Sequence, residues 1–342
     1  MNVDRVLLAA PRGFCAGVEM AIKALAWMVR SFEPPVYCYH EIVHNQLVVT
    51  RFKNLGVVFV EDISEVPQGS PIMLSAHGSA PEVVDAARTR GGYVVNAVCP
   101  LVTKVHHEVR VRAGKGYNIV YVGHEGHEEA VGTMAVAPKA THLVENRTQV
   151  RELPDFDGPI AMLAQTTLSH TEWSGVLDEV STRFPDLWTP GRSDLCFATT
   201  NRQGALAQIA EQCDVVVVIG SANSSNTRAL ERLAIEAGAA RVFRVNDAAE
   251  LPDDISGVVG VTAGASAPEE LVSQVIERLA PTDGVEQVLM TTEDEYFPPP
   301  RELRELLASI QAAATVTLGA VSAPPPHTDR EIQASAVLTQ LD

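Results

Sequence analysis

Nine times along this chain a short apolar run ends in a polar loop and passes into a segment with helical periodicity. Six of the runs are Val36–Tyr39, Ile72–Ser75, Ile119–Val122, Ile160–Ala164, Val215–Ile219 and Val258–Thr262, and three more lead to Cys15, Cys99 and Cys196. Runs such as Val215–Ile219 are continuous rather than alternating, the pattern of strands buried on both faces. The segments between them repeat at helical spacing, as in Val18, Ile22, Leu25 and Val29. Parallel strands joined by helical crossovers account for both patterns. The expected fold class is α/β, with three similar lobes built on parallel sheets around a common centre. One cysteine of the trio falls in each stretch of about 90 residues, within the size of a compact lobe. The lobes are placed at 17–99, at 100–192, and at 193–285 together with 1–16. Residues 286–319 are expected to return to the core. Residues 320–342, which include APPPHTDREIQ, are expected to form a disordered tail.

Composition narrows the class of function. The 342 residues are 46% hydrophobic and 20% charged, as in a globular protein. A formal net charge of −17 argues against nucleic-acid or anionic-membrane partners, so an anionic substrate must be held by local groups. No stretch approaches the roughly 20 apolar residues of a membrane span. The amino-terminal run Val6–Ala10 is shorter than the roughly 7–15 residues of a secretory core. A cytoplasmic protein is expected. Five widely spaced cysteines suggest no disulfide framework.

Cys15, Cys99 and Cys196 all stand at the start of a helix, on the edge where α/β sheets place their ligands. A helix amino terminus favours the thiolate that a metal needs. Three thiolates from three separate strand-to-helix units meeting at one point would hold three irons of a cubane cluster and leave the fourth open to a substrate. There is no C-x-x-C, and Cys38 and Cys213 read as structural. His40-Glu41-Ile42-Val43-His44 matches the zinc-protease motif H-E-x-x-H, which works only on a continuous helix. Here His40 follows the run Val36–Tyr39 and is expected to end a strand. His44, His77 and His127 occupy loops at the same edge and suit phosphate or hydroxyl contacts. Glu129 reads equally as a first-turn glutamate complementing a helix dipole and as a buried proton donor, and spacing does not separate it from Glu125 or Glu128. The loop Ser221–Asn226 suits an anion at a helix amino terminus, and Thr166 and Ser266 add hydroxyl donors. Ser79 with Glu82, Ser169 with Glu172, and Ser266 with Glu269 have capping-box spacing. No G-x-x-x-x-G-K-[ST] and no convincing G-x-G-x-x-G supports nucleotide binding.

The segments PRGFCAGVEMAI, HEIVHN, SAHG, CPLVTKVH, GHEGHEE with GTM, QTTLS, CFATTNRQ, NSSN and TAGASAPE occur in this order between residue 11 and about residue 270. Together they closely resemble the 4-hydroxy-3-methylbut-2-enyl diphosphate reductases of the methylerythritol phosphate route to isoprenoids. The resemblance implies a [4Fe–4S] cluster on Cys15, Cys99 and Cys196. It implies a substrate diphosphate bound by His44, His77, His127, Ser224, Ser225, Asn226 and Ser266, with Thr166 beside the substrate hydroxyl and Glu129 as proton source. The implied reaction is a reductive dehydroxylation to isopentenyl and dimethylallyl diphosphate. Electrons would come from an external ferredoxin or flavodoxin, because the chain has no flavin or nicotinamide motif. Asn96 stands where many members carry Asp, which puts the cluster's hydrogen bonding in question. Monomer and homodimer both remain open. A quinolinate-synthase-type dehydratase would lack the NSSN loop and need no reductant. A cluster-based redox sensor would need an effector surface, and the net charge disfavours one that binds DNA.

Overall fold

The computed structural model describes residues 1–318 and 329–341. In chain order the strands are β1 (Asn2–Ala10), β2 (Val36–Tyr39), β3 (Val57–Val60), β4 (Pro71–Leu74), β5 (Tyr93–Asn96), β6 (Asn118–Val122), β7 (Thr141–Val144), β8 (Ile160–Ala164), β9 (Val215–Ile219), β10 (Arg241–Val245), β11 (Ser256–Ala263) and β12 (Val285–Leu289). The helices are α1 (Ala16–Ser31), α2 (Gln46–Asn54), α3 (Pro81–Arg90), α4 (Pro100–Gly114), α5 (Glu128–Val136), α6 (Arg147–Glu152), α7 (His170–Arg183), α8 (Phe197–Ala210), α9 (Ser225–Glu236), α10 (Glu269–Leu279), α11 (Arg301–Leu318) and α12 (Ala334–Thr339). The strands form three sheets, and every pairing within them is parallel, as the continuous apolar runs require.

The chain divides into two compact units. The first comprises Met1–Cys15, His44–Gln46 and Leu101–Asp294. It contains a five-stranded sheet of order β10-β9-β11-β1-β12 and a three-stranded sheet of order β7-β6-β8. In the larger sheet, Leu7, Val216 and Val218 pack against Leu206 and Ile209 of α8 and Leu230 of α9. The chain leaves β9 for β10 on one side and leaves β11 for β12 on the other, across β1. The strand order therefore reverses between β9 and β11, which opens a crevice at their carboxyl ends. The smaller sheet buries Val120, Val122 and Met162 against Val176 and Val180 of α7 on one face. Its other face packs Ile119, Tyr121 and Leu163 on Val105 and Val109 of α4. Its order reverses between β6 and β8, because β6 leads to β7 while the chain after β8 returns at Trp188, a parallel bridge to Ala161.

The second unit comprises Ala16–Val43, Leu47–Pro100 and the described part of Glu295–Asp342. Its sheet has the order β3-β2-β4-β5 and reverses between β2 and β4. Val60, Ile63, Ile72, Leu74 and Ala87 form its core. Helix α1 is buried on nearly every side, including the charged Lys23.

Three expectations are corrected. Residues 329–341 are not a disordered tail. They carry α12, and they dock on α1 because Lys23 donates to the carbonyls of Asp329 (3.3 Å) and Ile332 (3.0 Å) while Glu19 accepts from the Ala334 N–H (2.7 Å). Residues 319–328 and 342 of that expected tail lie outside the described residues. The run before Cys196 is not a strand beyond the single Trp188 bridge, because Pro190 and Gly191 interrupt it. Of the three capping boxes only Ser169–Glu172 forms. Helix α3 starts at Pro81 after Ala80, and α10 starts at Glu269 after Pro268, so neither Ser79 nor Ser266 reaches a cap position.

Candidate active site

The reversal between β6 and β8 brings together the two loops that follow those strands. His127 precedes α5 as its cap, with ring Nδ1 accepting from the Glu129 N–H at 3.2 Å. That turn directs Glu129 inward, where it is 3% exposed, while Glu125 is exposed and Glu128 only partly buried. One carboxylate oxygen of Glu129 accepts from the Thr166 N–H at 2.7 Å, and the other accepts from the Thr166 hydroxyl at 2.9 Å. Burial pushes the Glu129 carboxyl up to about 7, with the Thr166 bonds opposing and the nearby Asp194 charge adding to the rise. At neutral pH this carboxyl is therefore poised to give or take a proton. Asp194 is itself buried, accepting from the Ala164 N–H at 3.2 Å and from Lys104 Nζ at 3.3 Å. Burial pushes it up to about 6, despite Lys104. Tyr121, fully buried on β6, faces this carboxylate pair, and burial together with Glu129 raises its phenol well above the ordinary value.

The reversal between β9 and β11 places Ser221–Asn226 beside Gly264–Ser266. The close approach of these loops needs glycine: a Cβ at Gly220 or Gly264 would strike the Thr227 side chain, and Gly220 has φ +146°. Ser224 Oγ caps α9 by accepting from the Thr227 N–H at 3.3 Å. Ser225 Oγ accepts from the Gln165 amide at 3.3 Å, which ties this loop to the one carrying Thr166. Asn226, 3% exposed in the first turn of α9, has neither amide atom hydrogen-bonded. A buried amide with both ends unsatisfied is costly and marks a place for a polar ligand. Ser266 Oγ donates to the His44 carbonyl at 2.9 Å, the His44 ring lies 3.4 Å from the Asn223 amide, and its centroid is 6.0 Å from that of His127.

Two cysteines join the same unit's network. The Cys196 N–H donates to the Thr166 carbonyl at 2.9 Å, and the Cys15 N–H donates to the Ala265 carbonyl at 3.2 Å. The two thiols lie within electrostatic reach of each other: burial, then Cys15, push the Cys196 thiol up to about 12. The Ala198 and Thr199 amides at the start of α8 pull the other way, as expected of a helix amino terminus, but burial and Cys15 outweigh them. Cys15 and Cys196 are both partly buried, and two neighbouring sulfurs are an ordinary ligand pair for a metal, so the pair fits a metal centre. The contacts close a circuit from Glu129 through Thr166, Cys196, Cys15, the Ala265–Ser266 turn, His44 and His127 back to Glu129. In the second unit the Cys99 N–H donates to the Ala76 carbonyl at 3.0 Å, beside His77, at the reversal between β2 and β4. Asn96 Oδ1 accepts from the Val98 N–H at 3.1 Å and so makes the turn into Cys99. A carboxylate at that position could accept the same bond. Cys38 and Cys213 are buried, and Cys213 Sγ donates to the Ile209 carbonyl.

The family model described as LytB protein matches residues 6–280. The chain belongs to the LytB family. The 4-hydroxy-3-methylbut-2-enyl diphosphate reductase of Rhodopirellula baltica is 46% identical over 320 residues, covering 92% of this chain and all of that one. The enzyme of the same name from Mycolicibacterium paratuberculosis is 45% identical over 306 residues, covering 88% of this chain and 92% of its own. Among solved structures, the E-1-hydroxy-2-methyl-but-2-enyl-4-diphosphate reductase of Plasmodium falciparum superposes with a TM-score of 0.86 at 30% identity, covering 90% of this chain and 99% of that one.

Within this LytB chain the H-E-x-x-H segment is not helical. His40 has φ +57°, and α2 begins only at Gln46, so His40 and His44 never share a helix face. His40 instead pairs with Glu61 at 3.0 Å. Gln165, Asn223 and Asp194 belong to the network although the sequence alone did not single them out. Gln165 and Asn223 stand inside quoted motifs, one position from a hydroxyl residue already chosen. Asp194 carries no local signal, because its role depends on burial between β8 and α4.

Proposed function

We propose that this LytB chain is a 4-hydroxy-3-methylbut-2-enyl diphosphate reductase holding a [4Fe–4S] cluster on Cys15, Cys99 and Cys196. The observation that carries this reading is Glu129, buried with a carboxyl raised to about 7 and joined through Thr166 to the backbone of Cys196. The overall change consumes two electrons and two protons: the allylic C–O bond breaks, water leaves, and a C–H bond forms. When bound, the cluster supplies the electrons one at a time and a Lewis-acidic iron.

The chain's own groups supply position and protons. Ser225, Asn226, Ser266, His44, His77 and His127 would hold the diphosphate. The buried Asn226 amide would gain there the partners it lacks in the free chain. Ser224 keeps the amino terminus of α9 formed, so that its free N–H groups face the anion. Thr166 fixes the Glu129 carboxyl through two bonds, and its hydroxyl can turn from Glu129 to the substrate hydroxyl. Glu129 gives its proton to the departing oxygen. An external ferredoxin or flavodoxin would return the electrons.

The test is anaerobic purification of the full chain with iron and sulfide counts, followed by turnover with a reduced electron donor. Expected are about four irons and four sulfides per chain and formation of the two C5 diphosphates only when reductant is present. A chain that binds no iron, or that dehydrates the substrate without reductant, sinks the proposal.

A further inference from the structure

We infer that Arg202 is the positioning residue that clamps the Cys15 loop against the helix headed by Cys196, and so presets two of the three sulfur ligands. This rests on the cluster reading above. Arg202 lies on α8, whose first residue follows Cys196, and it is completely buried. Its Nε and Nη2 donate to the Gly13 carbonyl at 3.0 and 2.8 Å, and Nη2 also donates to the Phe14 carbonyl at 3.2 Å. Nη1 donates to the Ala198 carbonyl at 2.8 Å and to the Glu293 carboxylate at 3.0 Å. All five donors of the guanidinium fork are thus occupied.

The loop is gripped from the opposite side as well. The Gly13 N–H donates to the Ala263 carbonyl at 3.3 Å and the Cys15 N–H to that of Ala265, while Arg12 pairs with Glu269. Gly13 has φ +68°, a conformation that a side chain would strain. The Gly13 and Phe14 carbonyls are therefore anchored on α8, and the Gly13 and Cys15 amides on the end of β11 and the segment that follows it. Glu293 is in turn secured by the Asn201 amide at 2.9 Å. Its segment is tied to the end of β1 through the Met290 N–H and the Ala10 carbonyl at 2.9 Å. Gly204 allows Met290 to lie on α8, because a Cβ there would strike its sulfur. A buried arginine with one carboxylate partner is not an economical way to gain stability. Its donor geometry does something a smaller cation cannot: it spans two loop carbonyls, the helix and Glu293 at once.

The experiment compares wild type, Arg202→Lys, Arg202→Met and Glu293→Gln as full-length chains. Iodoacetamide labelling of Cys15 and Cys213 is followed by mass spectrometry before iron reconstitution, and iron is counted afterwards. Cys213 serves as an internal control for general loosening. Both Arg202 variants should label several-fold faster at Cys15, with Cys213 unchanged, and should retain clearly less iron than wild type. Lysine should fail although it keeps the charge. Wild-type labelling and iron in the folded variants would overturn the inference, as would equal acceleration at Cys213, which indicates a general structural role. Should the Arg202 variants not fold, Glu293→Gln decides: it takes away the carboxylate charge that holds the guanidinium against the loop, so Cys15 should label faster, and unchanged Cys15 labelling there overturns the clamp. A wild type that binds no iron would count against the proposed function while leaving the labelling comparison readable.

Discussion

Glu129 holds its proton because nothing around it compensates a buried negative charge fully. Thr166 donates twice, yet burial and Asp194 outweigh both bonds. In the unfolded chain the group titrates near 4.5 and in the fold near 7, so the folded state binds the extra proton between those values. Stability from this group is present in full below the lower value and is lost as pH rises through the higher one, a change of about 3 kcal/mol. Glu129→Gln removes that loss: the variant should melt at a higher temperature than wild type at pH 8, and the advantage should vanish near pH 5. The same variant should keep its iron and lose about two to four orders of magnitude in turnover. A variant that melts with wild-type pH dependence would show that Glu129 is not the group responsible. Asn226 offers the opposite trade. Asn226→Leu removes two unsatisfied buried atoms, so the free chain should be unchanged or up to about 2 kcal/mol more stable. Binding of inorganic pyrophosphate, measured by calorimetry, should fall by about tenfold or more, the worth of one or two lost hydrogen bonds to a charged group. The sequence marked both residues as candidates, but the distinction between Glu125, Glu128 and Glu129 waited on which way the first turn of α5 faces.

At the scale of elements, legibility followed burial. The strands read from apolar runs, such as β8 and β9, are buried along their whole length. The strands that the runs did not disclose, β3, β7, β10 and β12, all lie at sheet edges. In β10 and β12 residues such as Arg241, Arg244, Glu286 and Gln287 interrupt the apolar run where one side faces solvent, whereas the edge strand β8 stays apolar because the Trp188 bridge covers its outer side. Caps show the same limit of local pattern. Ser169–Glu172 forms its box, with the Ser169 N–H donating to Glu172 at 2.8 Å and the Glu172 N–H to Ser169 at 3.0 Å. Ser79 has the same spacing to Glu82, but Pro81 sets the start of α3 and leaves the Ser79 hydroxyl buried without a partner. Ser169→Ala should therefore cost about 1 kcal/mol in chemical denaturation, and Ser79→Ala should cost nothing or stabilise slightly. Equal losses at both positions would mean that spacing alone decides capping here. The three reversals of strand order were also beyond local pattern, because they depend on which strands pair, and pairing is not written in any one segment.

Across the whole chain, the largest surprise is what the last described residues do. A Pro-rich stretch ahead of them gives residues 320–342 the composition of a disordered tail, and the signal that 329–341 would dock lies more than 300 positions away, in α1. Lys23 sits in the second turn of that helix with its side chain only 6% exposed. Its ammonium is satisfied by the Asp329 and Ile332 carbonyls and by the carboxylates of Asp329 at 3.5 Å and Glu19 at 3.8 Å. Tyr296 donates to the other Asp329 oxygen at 2.6 Å, and Ala334 and Leu338 are fully buried. A charge placed so deeply, with Glu19 as its partner within α1, makes sense only with the groups of residues 329–341 in place. Ending the chain after residue 328 should therefore cost about 3 kcal/mol or more, since it strands the ammonium and exposes apolar surface together. Lys23→Met in the full-length chain should cost less, because the partners it leaves can reach water at the surface. Combining Lys23→Met with the truncation should recover a measurable part of the truncation's cost, since no charge is then stranded. The coupling is read from a double-mutant cycle in urea. Additive effects would show that the segment contributes through its apolar contacts alone. An unchanged midpoint on truncation would show that the docking seen around Lys23 contributes nothing to the fold.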